Sequence, residues 1–344
     1  MRSELDDKGL AVYGSKLHHR YVGLLFAILL SLSAAISIGH TIVQYYNRDN
    51  VGWNLDSLEY LDYYYGEPVR GIVHYRILTI WLARAVPDLS PTLFSALRTD
   101  DPDWEAILKF ALVNTFALAA TGVLFYVYQR RLGLQPAFSL LGILAFFLSR
   151  PILQSTIPPM VDALAFLTWL LILHAMLANK LWLLGISFVL GMLNKETTML
   201  ALLVIPLTAL SWPRKIRQGI ILALITITYL LFRSTLFPGA STSYDFNIGL
   251  IVRWFDNFKG MVSIRGLVDL FEAFGFLWFV FGYGLVRMQI IPELRWLVWL
   301  VPILFVLIVL LSGNLGRTMF IAFPVVIPNA MFVVQEKLRP ASRI

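Results

Sequence analysis

The sequence predicts an all-α polytopic membrane protein, with about ten transmembrane helices and interfacial helices in its first external loop. Three observations predict it. Of 344 residues 58% are hydrophobic and only 14% charged, far from the balance of a soluble domain. The apolar residues gather in windows of about twenty, the length that crosses roughly 30 Å of hydrocarbon as a helix. They do not alternate with polar ones, which excludes the strands of a transmembrane barrel.

The runs fall near 21–45, 105–128, 136–149, 159–178, 181–194, 196–212, 216–236, 267–287, 294–312 and 317–335. Several are short, which points to tilt or to paired half-spans. The stretch 1–20 is polar and no small-residue cleavage site follows the first apolar run, so 21–45 reads as a retained helix. With the N-terminus in the cytoplasm, Arg130, Arg131, Lys180, Arg214, Lys215, Arg217, Arg287, Arg295, Lys337, Arg339 and Arg343 share that side, mostly in brief turns. Both termini are then cytoplasmic, and most of the acidic residues lie on the opposite face. That face holds two long loops, 46–104 and 237–266, within a single transmembrane domain spanning 1–344.

The net charge of +7 follows from these topogenic cations, so nucleic acid is not an expected partner; the lipid bilayer is. Cysteine is absent, which removes disulfides and thiolate chemistry and leaves oxygen and imidazole as metal ligands. No HExxH, calcium loop or nucleotide-binding loop occurs. No cofactor is required by the sequence. A divalent cation, if used, would take its oxygens from Asp56, Asp162 or Glu196.

In the first long loop the acidic, tyrosine-rich run 53–65 carries Asp56, Glu59 and Asp62. Any of the three can act as general base on a hydroxyl, and Asp56, Glu59 and Tyr60 share a face if the run is helical. The plain alternative is a solvated acidic loop. The stretch 71–86 mixes Ile72, Ile77, Ile80 and Trp81 with His74, Arg76 and Arg84, which suits a helix lying in the interface. Arg76 inside it can meet a lipid phosphate with forked hydrogen bonds, or simply snorkel to headgroups. His74, a lone histidine beside a helix face, is most readily a satisfied polar residue. The second loop carries an amphipathic run, 251–258, that reads as a flap or another interfacial helix.

Further along, Arg150 and Asp162 bracket two apolar runs on the same face. Asp162 starts a helix, where a carboxylate caps free N–H groups or orients a cation. Lys195 and Glu196 interrupt a long apolar stretch at a tight hairpin, either as a mutual ion pair or with the cation aimed at an anionic substrate. Arg317 follows two glycines before the last apolar run, a setting for phosphate contact or for anchoring at the interface.

The order of these pieces is an acidic first loop, Tyr75-Arg76-x-Leu78, Val161-Asp162-Ala163-Leu164, Lys195-Glu196 at a tight turn, and Gly316-Arg317 before Phe323-Pro324. In that order and sidedness the chain resembles the GT-C superfamily of integral-membrane glycosyltransferases, particularly compact bacterial members associated with cell-surface glycopolymers. The resemblance implies transfer of a hexosyl or pentosyl group from a polyprenyl-phosphate sugar to an extracytoplasmic acceptor, a glycan, lipid or protein, with inversion. It further implies a bacterial inner-membrane location, Asp56 as base, and donor phosphate met by Arg76, Lys195 and Arg317. The chain departs from the family in spreading Asp56, Glu59 and Asp62 where a paired acidic motif is common, and in having no large soluble C-terminal domain. Two other classes compete: a lipid or solute transporter, whose ionisable groups would line a path near mid-membrane, and a non-catalytic assembly partner that keeps the fold.

Overall fold

The computed structural model describes residues 21–41, 55–67, 76–88, 103–155, 160–236, 248–311 and 318–339. Every regular element among them is helical, and no strand occurs among the described residues. Four stretches are long and apolar enough to cross a membrane: Tyr21–Thr41, which we call α1, Trp104–Arg131 (α4), Trp212–Thr235 and Phe320–Leu338. The third lies within α10, Trp212–Leu236, and the fourth comprises a short 3₁₀ turn and α15, Phe323–Leu338.

Most of the other apolar runs form shorter helices. They are α5 (Pro136–Phe147), α7 (Asp162–Ala178), α8 (Leu181–Asn194), α13 (Leu277–Val286), α14 (Leu300–Leu311) and a mixed segment in which α9 (Leu200–Val204) is flanked by 3₁₀ turns. At a rise of about 1.5 Å per residue, the shortest of these fall well below the thickness of the hydrocarbon layer. The continuous span expected over 267–287 is broken. Gly275, at φ +53°, ends α12 (Ile264–Phe274) before α13 begins, in a backbone region that a residue with a Cβ rarely enters. The run expected over 294–312 opens with two 3₁₀ turns before α14.

The first long loop contains α2 (Leu55–Tyr65) and α3 (Ile77–Ala85). Arg76 is therefore not inside the second of these helices, as expected, but is the residue before it, with φ −97° and ψ 54° outside the helical region. The second loop is occupied by α11 (Ile248–Val262), where the indole of Trp254 donates to the Leu310 carbonyl at 2.9 Å and anchors this helix on α14.

Apolar packing decides the arrangement. α4 lies against α5 and α7, α7 against α8, and α15 against α5 and α13. Phe125, Phe146, Phe166, Phe320 and Phe323 meet at their centre, with the Phe146 and Phe323 ring centroids 5.0 Å apart. Helix α1 presents a small residue at every fourth position (Gly23, Ala27, Ser31, Ala35, Gly39), so its backbone approaches α4 closely. A Cβ added at Gly122 of α4 would stand 2.8 Å from Phe147, and one at Gly39 2.5 Å from the Thr115 hydroxyl. By contrast α10, charged near its ends, exposes much of its apolar surface, through Ile216, Ile220, Leu224, Ile227 and Leu231 among others, which is compatible with a lipid surround.

A second, smaller core positions the site. Tyr60, Leu61, Ile80, Ala83, Ala106, Phe110, Met160 and Val161 pack together, seating α2 and α3 on the start of α4 and on the residues that lead into α7.

Candidate functional site

The hairpin after α8 carries Lys195 and Glu196 into this second core. Lys195 has an extended backbone, φ −158° and ψ 127°, and Glu196 opens a 3₁₀ turn. Consecutive residues in that geometry point their side chains apart, and they find different partners. Glu196 receives the Arg76 guanidinium in a forked pair, Nη2 to Oε1 at 2.6 Å and Nε to Oε2 at 3.1 Å. Lys195 donates through Nζ to Oδ1 of Asp162 at the first position of α7. The mutual Lys195–Glu196 pair is thus replaced by two crossed pairs.

Arg76 also donates through Nη1 to the hydroxyl of Tyr60, 2.7 Å away and fully buried on α2. Burial works against the charged guanidinium, but Tyr60 and Glu196 beside it outweigh that, and the Arg76 pKa is held well above its ordinary value. The arginine is a fixed cation. The side chains of Arg76, Glu196, Lys195 and Asp162 are 11%, 17%, 17% and 3% exposed, so the two pairs are screened from bulk water.

Neutral polar groups complete the cluster. The Thr79 hydroxyl donates to Oδ1 of Asn194 at 2.5 Å, and Nδ2 of Asn194 donates to the Val161 carbonyl at 2.9 Å. Asn114, near the middle of α4, donates through Nδ2 to the Met160 carbonyl at 3.0 Å. All three side chains are buried. Below them, α8 and the turn approach so closely that a Cβ on Gly191 would stand 2.6 Å from the Thr198 methyl.

Five of the residues singled out from the sequence therefore converge: Tyr60, Arg76, Asp162, Lys195 and Glu196. The carboxylates of α2 sit on the helix that Tyr60 anchors. Asp56 occupies its first turn, one helical turn before Tyr60, with its side chain outside the described residues, while Glu59 is half-buried and Asp62 is exposed. His74 and Arg317 lie outside the described residues. Arg150 is elsewhere. It opens α6 (Arg150–Ser155) and pairs with Glu272 of α12, an acid that the sequence reading passed over.

Thr79, Asn114 and Asn194 had a faint signal in the sequence, each being an uncharged polar residue in or beside an apolar run. Lys109 had a stronger one. It is buried in the second turn of α4 and bridges Asp88 and Glu105, each at 2.9 Å. The hydrogen bond from Lys109 holds the Asp88 carboxyl below its ordinary pKa, although Asp88 is itself exposed.

Among the described residues no three His, Asp or Glu side chains converge in a way that would hold a metal ion. Of the oxygen donors expected for a divalent cation, Asp162 and Glu196 are each engaged by a cationic side chain instead. Comparison of the chain with protein families, with curated proteins and with solved structures finds no match.

What the arrangement can do follows from its chemistry. It holds two cations and two carboxylates in charge-balanced pairs in surroundings of low polarity, where each pair's attraction is far stronger than in water. Of the five N–H donors of the Arg76 guanidinium, Tyr60 and Glu196 engage three among the described residues.

Proposed function

We propose that this chain is an integral-membrane glycosyltransferase that moves a sugar from a polyprenyl-phosphate donor to a hydroxyl presented from the extracytoplasmic side. The observation that carries the reading is the convergence of Tyr60, Arg76, Asp162, Lys195 and Glu196 from four distant segments into one buried network at the ends of apolar helices. Replacing such buried pairs with apolar side chains is often neutral or stabilising, so charge kept there supports a site that meets a polar substrate such as a lipid phosphate.

In this mechanism a carboxylate of α2 takes the proton of the acceptor hydroxyl. Asp56 is the leading candidate, with Glu59 and Asp62 as its competitors. The acceptor oxygen attacks the anomeric carbon from the face opposite the phosphate. The bond from that carbon to the phosphate oxygen breaks, and its electron pair leaves with the lipid phosphate, so the anomeric centre inverts. Arg76 and Lys195, joined by Arg317, offset the negative charge that grows on the leaving phosphate. The short helices act as tilted spans or paired half-spans, giving about ten crossings of a bacterial inner membrane with both termini cytoplasmic.

One observation favours a second reading, that of a non-catalytic assembly partner: the Arg76 and Lys195 cations each already have a carboxylate partner. Purified protein in lipid, given labelled sugar on a panel of polyprenyl phosphates, decides between them. Donor-dependent transfer that disappears in Asp56→Asn while donor binding persists is the expected result. Transfer that survives moves the base to Glu59 or Asp62. Absence of both transfer and donor binding in the wild type removes the enzyme reading.

A further inference from the structure

The two ion pairs of the network are held in register by an uncharged relay that runs between them. Thr79 lies in the first turn of α3, the helix that begins directly after Arg76. Asn194 is the last residue of α8, directly before Lys195 and Glu196. Val161 directly precedes Asp162. The bonds Thr79 Oγ1 to Asn194 Oδ1 and Asn194 Nδ2 to Val161 O therefore fasten together the three helix ends that carry Arg76, Lys195 and Asp162.

The amide orientation of Asn194 follows from its surroundings. The Val161 carbonyl only accepts, so the nitrogen must face it and the oxygen must face Thr79. Thr79, Asn194 and Val161 are all fully buried, which makes each bond hard to replace with water. Asn114 adds a parallel rung one residue earlier, at the Met160 carbonyl. Residues 160, 161 and 162 are thus gripped in succession by Asn114, Asn194 and Lys195, two of which are adjacent in the chain.

We propose that Asn194, oriented by Thr79, is a positioning residue that sets the separation of the Arg76 and Lys195 cations, so that one phosphate group can be met by both. The proposal rests on the donor phosphate of the reading above, but its geometric part stands apart from that reading. The relay touches neither cation directly; it fixes the backbone from which each one extends. A displacement of about 1 Å at such a site is enough to weaken transition-state or substrate contacts severely.

The test compares the full-length chain in lipid with Thr79→Val, which removes the hydroxyl at nearly constant volume, with Thr79→Ser, which keeps it, and with Thr79→Ala as a second hydroxyl-free variant should the valine not fold. For a polyprenyl-phosphate sugar we expect Thr79→Val to lower kcat/KM about tenfold, with kcat falling as well as KM rising because both cations meet the leaving phosphate, and Thr79→Ser to restore both. A second readout needs no activity. Thermal unfolding of Lys195→Met, Asp162→Asn and the double variant gives the coupling of that pair, expected to fall to about half in the Thr79→Val background.

Unchanged coupling together with an unchanged kcat/KM overturns the proposal. So does a uniform loss of stability and kcat that serine fails to rescue, because that is the signature of packing alone. If the wild type transfers no sugar the functional reading fails, and the coupling measurement still decides whether Asn194 positions the pair.

Discussion

Two arginines sit at the starts of helices, and each reaches a glutamate far away in the chain: Arg76 to Glu196 and Arg150 to Glu272. Their sequence settings are alike, an arginine beside an apolar run, and their surroundings are not. Arg76 and Glu196 are 11% and 17% exposed, the contact is forked, and Tyr60 takes a third N–H. Arg150 and Glu272 are 47% and 30% exposed. An ion pair open to water exchanges one solvated state for another, whereas a closed one leaves a bare charge when either member is removed. The comparison teaches that burial and secondary partners, not the presence of a pair, decide how much the loss of one member costs.

The largest effect should come from Glu196→Gln, which leaves the Arg76 guanidinium without its counter-charge. Thermal or denaturant unfolding in detergent should show a loss on the order of 3–5 kcal/mol. A loss below about 1 kcal/mol would place this pair in the same class as Arg150–Glu272 and erase the contrast.

Asp162→Asn should come next. It retains hydrogen-bonding capacity but removes the charge opposite Lys195, whose side chain is 17% exposed and so keeps some access to water. A decrease of about 1.5–3 kcal/mol is expected from the same unfolding experiment. Equal losses for Asp162→Asn and Glu196→Gln would mean that the fork and Tyr60 add nothing to the Arg76–Glu196 pair.

The smallest effect belongs to Arg150→Gln, expected to change stability by about 0–1 kcal/mol and to leave sugar transfer at the wild-type rate. Adding salt should narrow its difference from wild type further, since exposed pairs are screened. A collapse of transfer in Arg150→Gln would bring α6 and α12 into the site.

Much of this was legible in the residues themselves. A charge next to an apolar run is expensive, so Arg76, Asp162, Lys195 and Glu196 drew notice without any coordinates, and Tyr60 did so by sharing a helical face with acids. The pairing was not legible. Lys195 and Glu196 are neighbours and invite a mutual pair, but the extended backbone at Lys195 turns them to opposite partners. Thr79 and Asn114 carry no charge, so in an apolar run they resemble residues that simply bond back to their own helix. The break at Gly275 was hidden for a related reason, because a glycine inside an apolar stretch reads equally as part of a span or as its end until its φ is known.

The most direct measurement removes the Arg76 pair without leaving a bare charge. In the triple variant Tyr60→Phe, Arg76→Met, Glu196→Met the polar core is replaced by apolar groups of similar bulk, an exchange that is often neutral or stabilising where charge serves only the fold. Thermal unfolding and polyprenyl-phosphate sugar transfer would be measured on the same preparation. The account predicts a melting temperature within a few degrees of the wild type and loss of transfer to background. A triple variant that folds and transfers sugar at the wild-type rate would contradict it.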